Sequence, residues 1–149
     1  MKVLIALDDS PVSSRAARVA ARLFTGDDVE FLVINVATVA MPWVGMGGYG
    51  MVTPLAMDPR WLEPDEDAEA DLMARAEAAG VPDPVPVVST GDPVTLICAA
   101  AEEHGVDVIV VGSHDKTALR RLFDPSVAAG VVRDTYRPVL VVSGAPPSG

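Results

Sequence analysis

The sequence predicts an α/β protein, a three-layer sandwich in which a five-stranded parallel sheet is covered by helices on both faces. Short apolar segments typical of strands alternate along the chain with segments that have helical periodicity. Two of the strand segments, residues 108–111 (VIVV) and 139–142 (VLVV), are apolar at every position, as expected of strands covered on both faces. The chain has 149 residues, enough for one domain with a substantial core.

The first half of the chain begins with a predicted strand at residues 2–7, a short apolar segment rich in branched side chains. A helix is predicted from residue 11 to about residue 24, because Ser10 can cap it and Pro11 suits its first position. Its apolar residues recur at helical spacing; they are Val12, Ala16, Val19, Ala20 and Leu23. The second strand is predicted at residues 29–36, after a Gly-Asp-Asp turn.

The second half repeats the alternation. An acidic, alanine-rich helix is predicted at residues 64–79, with Gly80 as its C-cap. Further helices are predicted at residues 94–103, after a Gly-Asp-Pro turn, and at residues 126–135. The remaining strands are predicted at residues 85–88, 108–111 and 138–142.

Residues 37–60 are predicted to form a long apolar loop within a single domain of residues 1–143, and residues 144–149 a flexible tail. The loop carries no charge up to residue 57, but its glycines and prolines would break a membrane-spanning helix. Its methionine and aromatic side chains suit a lid over a ligand, a partner surface, or packing against the sheet and a dimer seam.

The charge and the cysteine content exclude several classes of function. The chain has 21 acidic and 11 basic residues, a formal charge of −10, which disfavours nucleic acids and anionic membranes as partners. A single cysteine, Cys98, excludes a disulfide framework, and neither the two histidines nor the serines form a metal-binding or nucleophile motif. No catalytic residue and no metal site is therefore predicted. The short apolar run at the start does not resemble a signal peptide, so we expect a cytoplasmic protein.

The segment from Asp107 to Val142 carries the strongest functional signal. It combines a buried strand, a turn expected at Gly112, a short basic segment, a helix start at residues 124–126 and a second buried strand. This order is typical of a phosphate site at the carboxyl end of a parallel sheet, where backbone N–H groups and a helix N-terminus face an anion. Asp8 follows the first predicted strand, and Val36 ends the second. Both residues are therefore expected at the same edge of the sheet.

The chain resembles the universal stress proteins over nearly its whole length. The resemblance is carried by three segments: VLIALDDSPVSSRAARVAARL, GDPVTLICAAAEEHGVDVIVVGSHDKTALRRLF and PVLVV. It implies the strand order 3-2-1-4-5 and no catalysis of general importance. The leading hypothesis is therefore a regulatory module of the stress response that acts through an unknown protein partner. The resemblance also implies a homodimer paired through the last strand, at Val139, Leu140 and Val141. Many members of this family bind ATP.

The ATP-binding members share the pattern Gly, two residues, Gly, nine residues, Gly, then Ser or Thr. In this chain the pattern falls on Gly112, Asp115, Pro125 and Ser126, so the two middle glycines are absent. The resemblance also implies that Asp8 lies by the adenine and ribose and that Asn35 and Val36 supply adenine contacts.

The two replacements predict that ATP binding is weakened or lost. Asp115 places a negative charge where a phosphate would lie. Asp124 is expected to be the N-cap of the following helix, with Pro125 as its first residue, so the helix would already satisfy its N-terminal donors.

The alternative is an ATP- or AMP-binding protein with a modified phosphate loop, and it is favoured by a local cluster of basic residues: His114, Lys116, Arg120 and Arg121. These groups can neutralise a triphosphate, or a divalent cation can bridge the triphosphate to Asp8, Asp9 or Asp115. Arg120 and Arg121 can instead form solvated ion pairs with neighbouring acids. A nucleotide hydrolase is the third hypothesis, although the sequence offers no base beyond the aspartates.

Overall fold

Strands and helices alternate along the chain in the computed structural model, which describes residues 1–37, 66–114 and 126–144. The strands are β1 (Lys2–Ala6), β2 (Glu30–Ala37), β3 (Val85–Thr90), β4 (Val108–Ser113) and β5 (Val139–Ser143). The helices are α1 (Pro11–Leu23), α2 (Glu66–Ala78), α3 (Pro93–Glu103) and α4 (Val127–Asp134). All predicted elements are present, with ends that differ by a few residues. The predicted tail beyond residue 144 and nearly all of the predicted 37–60 loop lie outside the described residues.

The five strands form one parallel sheet in the order β3-β2-β1-β4-β5, which confirms the predicted class and topology. β1 is central and pairs with β2 on one side and β4 on the other. The chain therefore moves outward from β1 to β2 and β3, then crosses to β4 and β5. The carboxyl ends of β1 and β4 flank the point where this direction reverses, which is where open α/β sheets bind ligands.

Two apolar layers cover the sheet, and the alternation of side chains along β1 shows how they separate. Val3 and Ile5 pack with α1 and α2, whereas Leu4 packs with α3 and α4. The same alternation places Phe31 in the first layer and Leu32 in the second. Helices on both faces complete the three-layer sandwich, so the central strands have no solvent-facing side.

The helix ends agree with the capping signals in the sequence. Ser10 caps α1, where its Oγ accepts a hydrogen bond of 3.3 Å from the Ser13 amide. Asp92 caps α3, where its Oδ2 accepts a hydrogen bond of 2.9 Å from the Thr95 amide. Gly80 has a φ of +81° and follows α2, where the Val81 amide donates to the carbonyl of Ala76. The caps at Ser10 and Asp92 fix where α1 and α3 begin, at the carboxyl edge of the sheet.

Candidate functional site

A cleft of about 920 Å³ lies at the carboxyl ends of β1, β2 and β4, beside the N-termini of α1, α3 and α4. Four residues singled out from the sequence line it together: Asp8, Val36, Gly112 and Ser126. The other predicted site residues, which are Asp115, Lys116, Arg120, Arg121 and Pro125, lie outside the described residues. The fold thus brings the described candidates to one cleft at the switch point of the sheet.

Asp8 is held by the first turn of α1. Its Oδ1 accepts hydrogen bonds from the Ser10 amide at 2.8 Å and from the Ser13 hydroxyl at 2.7 Å. The buried Ser13 Oγ also accepts from the Asp8 amide at 3.1 Å, so the side chain and the backbone of Asp8 are fixed by the same hydroxyl. The carboxylate is consequently oriented before any ligand arrives.

The pKa of Asp8 lies below its usual value. Partial burial raises this pKa, but the hydrogen bonds from Ser10 and Ser13 and the nearby charge of His114 lower it by more. The group is therefore an anion at neutral pH and acts as a hydrogen-bond acceptor. That chemistry suits a ribose hydroxyl and opposes a phosphate.

Gly112 is a strand residue, and the predicted turn at this position is wrong. It pairs with Val142 of β5 inside β4, which continues to Ser113. A Cβ atom on Gly112 would lie 2.9 Å from the Val12 carbonyl oxygen and 3.2 Å from the Ser13 amide nitrogen. Glycine is required here because the backbone of β4 passes close to α1, which brings the two sides of the cleft together.

Ser126 is the N-cap of α4, so the prediction that Asp124 caps this helix is wrong. The backbone of Ser126 is extended (φ −66°, ψ 138°), and its Oγ accepts a hydrogen bond of 3.1 Å from the Ala129 amide. Val127 is the first helical residue, so the prediction that the helix begins at Pro125 is also wrong. Val127 and Ala128, the first two residues of α4, line the cleft.

Several residues that line the cleft were not predicted from the sequence, because they come from elements that are distant in the chain. Pro93 and Ile97 of α3 and Ile34 of β2 form apolar parts of the wall. Arg75 of α2 also lines the cleft, although no motif surrounds it in the sequence. The N-terminus of α3 at the end of a strand was the available signal for Pro93, whereas Arg75 is placed by the packing of α2 on β2 and β3.

Acidic and basic residues both line the described part of the cleft. Asp8 and Asp9 are the acidic residues, and Arg75 and His114 are the basic ones. His104, the second histidine, is the C-cap of α3 and does not line the cleft. Among the described residues no group of three histidine, cysteine or carboxylate side chains can hold a metal ion.

Two regions outside the cleft bear on other predictions. Burial raises the pKa of the Cys98 thiol, and the charges of Asp134 and Glu102 raise it further, as expected of a packed and unreactive cysteine. β5 is at one end of the sheet, with Val139, Leu140 and Val141 half-buried. In the described part of the chain, no helix has the length and hydrophobicity needed to span a bilayer.

Comparison with known proteins assigns the family. The family model described as universal stress protein family matches residues 1–143. This chain belongs to the universal stress protein family. It is 33% identical over 144 residues to universal stress protein MJ0531 of Methanocaldococcus jannaschii, and the match covers 95% of this chain and 81% of that protein. The resemblance stated from the sequence is confirmed.

Solved structures of other family members share the fold of this universal stress protein. A universal stress protein in complex with cAMP superposes with a TM-score of 0.65 at 24% identity, covering 95% of both chains. A family protein of Arabidopsis thaliana with AMP bound gives a TM-score of 0.64 at 20% identity, covering 97% of this chain and 92% of that one. At these identities the likeness concerns the fold.

Proposed function

We propose that this protein binds an adenine nucleotide with one phosphate, such as AMP or cAMP, in the strand-end cleft, and that ATP binds there weakly. The observation that carries the proposal is the meeting of Asp8, Val36, Gly112 and Ser126 on one cleft at the switch point of the sheet. We further propose a regulatory role in stress response, in which the nucleotide is a signal and not a substrate; membership of the universal stress protein family supports this role.

The phosphate end of the proposed site is the N-terminus of α4. The amides of Val127 and Ala128 have no acceptor within the helix, whereas the Ala129 amide is used by Ser126. These two remaining amide donors and the positive end of the helix dipole suit one phosphate group. A triphosphate would need further donors.

The nucleoside end is formed by β1 and β2. Ile34 and Val36 offer apolar side chains to a base, and Asn35 on the same strand also lines the cleft. The carboxylate of Asp8, an anion with a lowered pKa, can accept a hydrogen bond from a ribose hydroxyl. These contacts with the base and the ribose do not require a positively charged group on the ligand or on the protein.

Charge favours a single phosphate over three. Asp8 and Asp9 line the cleft, and the sequence adds Asp115 at a position where the ATP-binding members have glycine. AMP and cAMP, the ligands named for two proteins of the same fold, carry less negative charge than ATP. The alternative, in which Lys116, Arg120 and Arg121 offset this charge, predicts the opposite order of affinity.

Calorimetric titration with AMP, cAMP and ATP, each with and without magnesium, tests the proposal. The expected order is AMP or cAMP tighter than ATP, and the variant Asp115→Gly/Pro125→Gly should gain affinity for ATP without a matching gain for AMP. Triple substitution of Lys116, Arg120 and Arg121 by glutamine serves as the opposing variant. ATP binding that is tighter than AMP binding and lost in this triple variant supports the alternative; no binding of any nucleotide contradicts both.

A homodimer paired through β5 is the second part of the proposal. β5 ends the described sheet, and its half-buried apolar side chains, Val139 to Val141, suit antiparallel pairing with a second copy. Sedimentation should give a dimer at micromolar concentration for the protein and a monomer for Val141→Lys. A monomer in both cases contradicts this part and leaves the nucleotide site unaffected.

A further inference from the structure

Ser13, in the first turn of α1, carries a buried hydroxyl group next to Asp8. The residue is 5% exposed and belongs to the wall of the cleft. Its Oγ lies 2.7 Å from Asp8 Oδ1 and 3.1 Å from the amide nitrogen of Asp8 and from the carbonyl oxygens of Asp8 and Ser10. A hydroxyl group has one proton to donate, and the contact with the charged carboxylate is both the shortest and the most favourable. The proton of Ser13 therefore goes to Asp8 Oδ1.

The two oxygens of the Asp8 carboxylate are used differently. Oδ1 accepts hydrogen bonds from the Ser13 hydroxyl and from the Ser10 amide, at 2.7 Å and 2.8 Å. Because both bonds end on the same oxygen, Oδ2 is the oxygen left for a ligand. Asp8 is exposed and lines the cleft, so a ligand can reach it.

The packing of α1 keeps Ser13 in place. The Ser13 amide donates to the Oγ of the helix cap Ser10 at 3.3 Å. On its other side the backbone of β4 passes so close that a Cβ atom on Gly112 would lie 3.2 Å from the Ser13 amide nitrogen. The hydroxyl group thus has a fixed position, and a carboxylate bonded to it is oriented before a ligand binds.

We propose that Ser13 is a positioning residue for ribose recognition: it holds Asp8 Oδ1, so that Oδ2 can accept a hydrogen bond from a ribose hydroxyl group, and the cleft thereby selects ribonucleotides over their deoxy forms. This inference rests on the proposed function. Ser13 itself does not contact the nucleotide. It acts on affinity only through Asp8, and only for ligands that have the hydroxyl groups.

The test compares Ser13→Ala with the matched control Ser14→Ala, which removes the same hydroxyl group from the next residue of α1, outside the cleft. Calorimetry measures the affinity of each protein for AMP and for its dideoxy analogue, which lacks both ribose hydroxyl groups. The unmodified protein should prefer AMP by roughly tenfold. Ser13→Ala should weaken AMP by roughly fivefold and the analogue by less than about twofold, because only AMP uses the oriented carboxylate. Ser14→Ala should change neither affinity by more than about twofold.

Titration of the Asp8 carboxyl group by NMR, without a ligand, gives a second readout. Burial raises the pKa of Asp8, and the hydrogen bonds from Ser10 and Ser13 lower it by more. Ser13→Ala should therefore raise this pKa, whereas Ser14→Ala should leave it unchanged. Thermal melting shows whether each variant is folded.

Distinct results overturn the inference and the proposed function. If the unmodified protein binds no AMP, the proposed function fails and the inference fails with it. If AMP and its analogue bind equally well, the function stands and ribose recognition by Asp8 is wrong. A loss in Ser13→Ala that is equal for the two ligands would show a merely structural role for Ser13. An unchanged pKa of Asp8 in Ser13→Ala would show that the hydroxyl group does not hold the carboxylate.

Discussion

The backbone of Gly112 passes so close to Val12 that a Cβ atom on the glycine would lie 2.9 Å from the Val12 carbonyl oxygen. This contact joins the end of β4 to the start of α1, the two elements that carry the opposite sides of the cleft. The glycine that matches the first position of the family pattern is therefore explained by packing of the protein itself, whether or not a phosphate binds.

Replacement of Gly112 by alanine should lower the free energy of unfolding by about 1–3 kcal/mol, because the added methyl group meets backbone atoms that cannot move independently. Urea denaturation measures this loss. Gly144→Ala is the matched control, since a Cβ there has no atom within 4 Å. Equal stability of the two variants would contradict the close approach of β4 and α1.

Gly130 in α4 should show strong coupling to Val94 in α3. A Cβ on Gly130 would lie 2.6 Å from Val94 Cγ2, so Gly130→Ala should destabilise the protein by about 1 kcal/mol or more despite the better helix propensity of alanine. In a Val94→Ala background the same substitution should stabilise it. Denaturation of the four proteins of this double-mutant cycle provides the test; effects of Gly130→Ala that are equal in both backgrounds would exclude the contact.

Ser126 has two separable roles, as the cap of α4 and as a neutral residue at the proposed phosphate end. Ser126→Ala should lower the free energy of unfolding by about 1 kcal/mol because the Ala129 amide loses its acceptor. Ser126→Asp should retain stability, since aspartate is also a good N-cap, but weaken AMP binding through its charge. Denaturation and calorimetry of both variants separate the roles. Undiminished AMP affinity in Ser126→Asp would place the phosphate elsewhere.

The lowered pKa of Asp8 makes part of the stability dependent on pH. A carboxyl group whose pKa is lower in the folded than in the unfolded protein stabilises the fold above its unfolded pKa, about 3.9, and loses that contribution as the pH falls through the folded value. The variant Asp8→Asn keeps an oxygen acceptor for Ser10 and Ser13 but has no charge to titrate.

Urea denaturation at about pH 6 and about pH 3 should therefore show that the stability advantage of the unmodified protein over Asp8→Asn shrinks at the lower pH. Asp9→Asn, which alters the neighbouring carboxylate, is the control. An advantage that stays constant or grows on acidification would contradict the lowered pKa of Asp8.

The sequence was sufficient to predict the class of fold, because the apolar strands at 108–111 and 139–142 and the caps at Ser10 and Gly80 act locally. It was misleading at Gly112, where a glycine before polar residues suggested a turn. The ladder from β4 to β5 instead continues to Ser113, and that depends on pairing with a strand 30 residues away.

The start of α4 and the position of Arg75 in the cleft are two further features that could not be predicted from the sequence. Asp124 and Ser126 are equally good N-cap residues, so local preference could not choose between them; the extended backbone of Ser126 decides the choice. Arg75 has no motif around it, because its place in the cleft depends on how α2 packs across β2 and β3. Both features are set by tertiary packing.

Amide chemical shifts recorded by NMR during titration with AMP test most directly whether a nucleotide binds in the strand-end cleft. Binding in the cleft should produce saturable shifts at Val36, Gly112 and Val127 to Ala128, with little change at the far end of the sheet, at Lys2 and Asp107. Saturable shifts confined to residues outside the cleft, or no shifts at millimolar AMP, would contradict the proposal that this universal stress protein is a nucleotide receptor.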